Sequence, residues 1–260
     1  MKKELQNIFG TPALKQHFEQ YQYIFHTDYY QSMVTQQISD EYEVHIEEYN
    51  HTYAIGKNCK KSVSCQIARV YDRADHEYIY EYRNYFGRLC VASFMWKPDR
   101  PFVFFSCDLN GYAFYDIKAC QEYGYYPQGY VNDTLAGIPY WYVKNIIFNS
   151  ENHWLAVNGQ DTMNCSYACL LDLSDLACMP YPLVSLSDVV SEKASSLGLS
   201  GLNDFATVAL GWNDDGSIDV LAGEDNSIEV ILPEIFYRQP QALFQYEKHD
   251  LSQEGEKHGE

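Results

Sequence analysis

Residues 101–117 read PFVFFSCDLNGYAFYDI. An apolar run, a polar turn at 108–111 and a second aromatic run follow one another, the pattern of a β-hairpin. The same unit returns at 153–173 (HWLAVNGQDTMNCSYACLLDL) and 217–232 (SIDVLAGEDNSIEVIL), and more loosely at 62–83 (SVSCQIARVYDRADHEYIYEY). Hairpins recurring about 40–65 residues apart predict a mainly β, antiparallel protein of stacked, propeller-like hairpins. A large β-sandwich is the alternative.

Outward from these hairpins, the chain changes character at both ends. Thr11-Pro12 is a helix start: a hydroxyl cap, then a proline whose fixed φ suits the first turn. Leu14, Phe18, Tyr21 and Phe25 fall on one helical face. A second amphipathic stretch from Asp28 carries Tyr29, Tyr30, Met33, Val34, Gln37 and Ile38 in helical register, so 1–40 is expected as an N-terminal helical segment. From Tyr42 the period becomes two, Val44 and Ile46 alternating with His45 and Glu47, as in a half-buried strand. A β domain is expected over 41–246. Within it, 120–138 is rich in Tyr, Gly and Pro and reads as a long surface loop. One helix is expected near 186–197, capped by Ser185 or Ser187 and stopped by Gly198. Asn213-Asp214-Asp215-Gly216 reads as a hairpin turn. Apolar residues almost vanish after 246, so 247–260 is expected to be a disordered acidic tail.

Composition narrows the partners. The 260 residues are 46% hydrophobic and 16% aromatic, with 24 Tyr, a residue favoured in strands where its ring covers the sheet. The net charge of −18 is uneven: 16 acidic against 13 basic residues over 1–129, 15 against 3 over 130–246, and 5 against 2 beyond. Such a field repels nucleic acid and anionic membranes and speeds encounter with a basic protein. No signal peptide or membrane span is visible, and the eight Cys form no disulfide framework. The cytoplasm is the expected location.

Motifs that carry chemistry are sparse. His45, Glu47, Tyr49 and His51 would share one face of a strand, and a His-x-Glu pair has the groups for acid–base or metal chemistry. The need for a polar face opposite Val44 and Ile46 explains them as well. Cys165/Cys169 and Cys59/Cys65 lack zinc-ribbon spacing. Asn213, Asp215, Ser217 and Asp219 alternate like calcium ligands, but no closing Glu follows at the EF-hand distance. There is no Gly-x-Ser-x-Gly elbow, P-loop or dinucleotide fingerprint. Asp108 and Asp116 read as turn and strand-end residues. No catalytic residue, metal or cofactor is expected.

The stretch 101–117, with Leu155-Ala156-Val157-Asn158-Gly159 and 168–172, resembles a group of uncharacterised bacterial proteins with propeller-like hairpins. That resemblance implies an architecture and carries over no site residue. A looser similarity, resting on acidity, small size and missing catalytic motifs, is to immunity proteins that neutralise secreted bacterial toxins. The expected function is therefore non-enzymatic binding of a basic protein partner. Tyr123, Tyr125, Tyr126 and Tyr130 would supply loop contacts, with Asp214, Asp215, Glu224 and Asp225 as an acidic rim. The alternative is an enzyme acting on a saccharide or polar small molecule through buried carboxylates or His45/Glu47.

Overall fold

In the computed structural model the described residues are 6–56, 59–85, 87–132, 142–160, 166–177, 179, 181–186, 188–189, 207–222 and 228–232. The chain divides into two compact units, Met1–Ile138 and Pro139–Glu260, a boundary inside the span expected as one β domain. The tail expected at 247–260 lies outside the described residues.

The first unit opens with α1 (Pro12–Glu19). Thr11 is its cap, the side chain accepting from the Leu14 amide while its hydroxyl donates to the Ile8 carbonyl at 2.6 Å. Two single 3-10 turns follow, Gln22–Phe25 and Thr27–Tyr29. The helix expected from Asp28 does not form. Residues 30–37 are instead strand β1 (Tyr30–Gln37), paired antiparallel with β2 (Tyr42–Gly56) so that Val34 lies opposite Ile46. Its β-branched and aromatic residues suit a strand, and the ladder to β2 outweighs the helical spacing of its apolar residues.

β3 (Cys59–Asp72) and β4 (Glu77–Asn84) complete a meander in the order β1-β2-β3-β4. A second meander in the same unit runs through β5 (Cys90–Lys97), β6 (Arg100–Asp108), β7 (Gly111–Asp116) and β8 (Gln121–Tyr125). The quoted hairpin is β6–β7, with Phe104 opposite Phe114. At its turn, the Asn110 amide donates to the Asp108 carboxylate at 2.7 Å. The two meanders share one core. Val44, Ala68 and Val70 from the first meet Val103, Phe105 and Ala113 from the second, all fully buried. The alternation read from the sequence is thus correct: Val44 is sealed inside, and His45 and Glu47 take the opposite face.

Segment 120–138 is not the long loop expected. Its first residues are strand β8, and α2 (Gly129–Asn132) follows shortly after. Residues 133–138 lie outside the described set.

In the second unit, β9 (Tyr142–Asn149), β10 (Trp154–Gln160), β11 (Ser166–Asp172) and β12 (Leu183–Ser185) pair antiparallel in the order β12-β11-β10-β9. A three-stranded sheet follows from β13 (Thr207–Trp212), β14 (Ile218–Ala222) and β15 (Ile228–Leu232). Asn213-Asp214-Asp215-Gly216 makes the turn expected, with Gly216 at φ +80° where a side chain would be disfavoured. Residues 186 and 188–189 are helical, and the Ser185 hydroxyl oxygen accepts from the Asp188 amide at 3.2 Å, so Ser185 serves as a cap. The rest of the helix expected to 197 lies outside the described residues. Trp154, Leu170, Leu186 and Ile218 anchor this unit's core.

All four hairpins read from the sequence are antiparallel pairs. Among the described residues they form antiparallel sheets without a closed barrel or a ring of blades. No described helix is long and apolar enough to cross a membrane.

Candidate functional site

The first unit has a pocket of about 330 Å³ where α1 lies beside β4 and the end of β8. The N-terminal segment reaches it by pairing with the chain after β8. The Ile8 amide donates to the Tyr126 carbonyl at 2.7 Å, and Asn7 both donates to the Gly124 carbonyl and accepts from the Tyr126 amide. Phe9 then lies flat on Gly124, where a β-carbon would meet its ring at 2.1 Å. Only glycine permits that approach.

The walls are aromatic. Phe18 stacks on Tyr85 with centroids 4.5 Å apart and meets Tyr126 edge-on at 5.5 Å. The Tyr82 and Tyr126 hydroxyls are bonded to each other at 2.5 Å across the pocket floor. Edge-on and offset ring pairs of this kind are favourable and rigid.

Four charged side chains border these rings. Glu81 accepts from Arg69 at 2.7 Å and from Arg83 at 2.6 Å. Burial opposes its ionisation, but the bonds from both guanidinium groups outweigh it and hold the carboxyl below its ordinary range. Arg83 is further fixed by Gln22, which in turn donates to the Tyr85 hydroxyl at 2.5 Å. Glu122 differs. Desolvation raises its carboxyl pKa, and the single hydrogen bond from Tyr80 only partly offsets that. Lys15 is exposed and has no ion partner among the described residues. The pocket therefore combines apolar walls, the Glu81–Arg83 ion pair, and two groups of opposite sign, Lys15 and Glu122, without an ion partner among the described residues.

The expected partner-binding residues are dispersed. Tyr125 and Tyr126 are buried, at 7% and 4% exposure, and so present no loop surface; Tyr126 forms a pocket wall. Tyr123 is a half-buried strand residue opposite Phe114, and Tyr130 packs edge-on against Tyr126. Their abundance in one segment reflects the core of the first unit. Asp214 and Asp215 are exposed in their turn, but Asp215 accepts from both the amide and the hydroxyl of Ser217, at 2.9 and 2.6 Å. Those bonds lower its pKa and make it a turn residue. Glu224 and Asp225 lie outside the described residues.

His45, Glu47, Tyr49 and His51 do share one face of β2, with Tyr49 buried on it, yet they do not gather into one site. His45 is bound to Glu43 at 2.7 Å and to the Tyr78 hydroxyl at 2.8 Å. Glu47 is paired with Arg69 and accepts from Tyr49, whose pKa is pushed up to about 12 by burial and that bond. His51 lies edge-on to Tyr29 at 4.3 Å. His45, Glu47 and Tyr49 are each spent on a neighbour, whereas the His51 Nδ1 is buried without a hydrogen-bond partner among the described residues; the His45/Glu47 pairing is corrected to His45/Glu43. Among the described residues no three His, Cys, Asp or Glu side chains gather as a metal ion would require.

Sequence reasoning missed the pocket because its parts lie far apart: Phe9 and Phe18 come from the N-terminus, Tyr82 from β4 and Tyr85 just after it, Glu122 from β8 and Tyr126 just after it. Thr11-Pro12, which fixes where α1 starts, was the one legible signal. No family model, curated protein or solved structure matches the chain.

Proposed function

We propose that this protein is a non-enzymatic binding protein whose first unit grips a segment of a basic protein partner. The observation that carries the reading is the aromatic pocket between α1, β4 and the end of β8. Its volume of about 330 Å³ suits one large apolar side chain, and buried anchors of this kind dominate the energetics of protein interfaces. Glu122 sits at its border with a carboxylate that has no ion pair among the described residues, placed to meet a Lys or Arg beside the anchor. The net charge of −18 adds long-range attraction for a basic partner. A basic toxin fits this description, and its neutralisation is the narrower form of the proposal. The scaffold, on this reading, is a two-layer sandwich in the first unit, supported by the core that its two meanders share.

Selection of a displayed random-peptide library on the wild-type protein tests this. Selected peptides should carry an aromatic or large aliphatic residue next to Lys or Arg. Phe18→Ala should weaken them about 10–100-fold, the range of an anchor contact. Peptides without that pairing, or undiminished by Phe18→Ala, would defeat the proposal.

One observation favours an enzyme instead: a carboxyl with raised pKa beside a pocket is a candidate general acid. Glu122 lacks a second free carboxylate, however, since Glu81 is held by two arginines. Turnover of any glycoside that is abolished in Glu122→Gln would favour this second reading.

A further inference from the structure

A second cavity of about 400 Å³ opens in the first unit, lined by β2 and β3, by Gln31 and by the chain around Gly87. Its volume lies within the roughly 300–1,000 Å³ of small-molecule sites. Its lining is polar. Glu48 accepts from the Ser32 hydroxyl and from the Gln66 amide, each at 3.1 Å. Gln66, only 5% exposed, is itself locked by the Leu89 amide that donates to its oxygen. Glu48 is thus held in place by neutral donors alone, with no cation paired to it among the described residues. A carboxylate offers about four lone-pair positions, so acceptor capacity is left over.

Arg88 borders the same cavity. It is exposed and has no carboxylate or hydrogen-bond partner among the described residues. Ser64 adds to the lining a hydroxyl with no hydrogen-bond partner among the described residues. Cys65 also lines the cavity, but burial pushes its thiol up to about 12, so it stays a neutral wall. The cavity thus holds one anchored anion and one cation, neither neutralised by the other. A simple anion would face Glu48, and a simple cation would leave Arg88 unmatched.

We propose that this cavity is a binding site for a free amino acid, its carboxylate on the Arg88 guanidinium and its ammonium on the Glu48 carboxylate. Guanidinium–carboxylate pairing is planar and bidentate, which would fix the ligand's orientation. The site is separate from the aromatic pocket and does not depend on a protein partner.

Isothermal titration of the full chain tests the inference, using the common free amino acids and their N-acetyl and methyl ester forms. At least one free amino acid should bind with Kd below about 1 mM. Its N-acetyl form, lacking the ammonium, and its methyl ester, lacking the carboxylate, should each bind at least about 10-fold more weakly, as loss of a charge-assisted bond requires. Arg88→Gln, at an exposed position that leaves the fold intact, should weaken the free amino acid to the level of the ester and leave the ester unchanged. No binding by any free amino acid, equal binding of blocked forms, or an unaltered affinity in Arg88→Gln would each overturn the proposal.

Discussion

Asp116 is fully buried and is held there by two kinds of partner. Arg100 grips it at 2.7 and 2.5 Å, while its other oxygen accepts from the Ala119 amide at the strand end. Arg100→Ala would strand that carboxylate. The guanidinium is about a third exposed, so the loss should fall near 2–3 kcal/mol, at or below the roughly 3–5 kcal/mol of a fully buried broken pair; urea denaturation measures it. The strand-end role of Asp116 was legible from its place after an aromatic run, but its partner was not, because the pairing depends on the register of β6 with β7. At Glu81, the folded pKa is lowered, so its stabilising effect is present above the unfolded value of 4.5 and is lost as pH falls below it. Wild type should therefore lose stability more steeply than Glu81→Gln as pH drops from about 4.5, and the gap between them should close. Parallel acid titrations monitored by near-ultraviolet circular dichroism would expose the opposite trend.

At the scale of elements, two junctions matter. In the second unit, Asn158 on β10 forms a reciprocal pair with the Ala209 backbone on β13, donating to its carbonyl and accepting from its amide, both at 2.8 Å. The side chain ties one sheet to the other beside a register shift in β13. Asn158→Ala leaves both backbone groups buried and unpaired, with an expected cost of about 2–4 kcal/mol in thermal or chemical unfolding. In the first unit, Gly124→Ala would drive a methyl group into the Phe9 ring. The expected loss is about 1–3 kcal/mol, with faster proteolysis before α1 as the N-terminal segment lifts from β8. Hairpins were the most legible elements, since alternation and turn chemistry are local. Strand β1 was misread because its apolar residues fit a helical face too, and only pairing with β2 decides between them. Likewise β8 looked like a loop, its Tyr and Gly residues serving the ring-on-backbone packing of Phe9.

For the whole molecule, the sequence conveyed the class of fold better than the site. Antiparallel β-structure follows from periodicity, whereas the aromatic pocket needs three distant segments to meet in one unit. The acidic excess belongs to this scale too. Asp214→Lys, at an exposed turn position with no side-chain bond among the described residues, should slow association with a basic partner at low salt and leave the fold unchanged. Stopped-flow rates that do not move would remove the acidic turn from the recognition surface. The central claim concerns the pocket, and chemical-shift mapping of a selected basic peptide onto the full chain tests it most directly. The expected result is a contiguous set of perturbations at Phe9, Lys15, Phe18, Tyr85 and Glu122. Perturbations confined to residues outside the pocket, with those five unmoved, would contradict it.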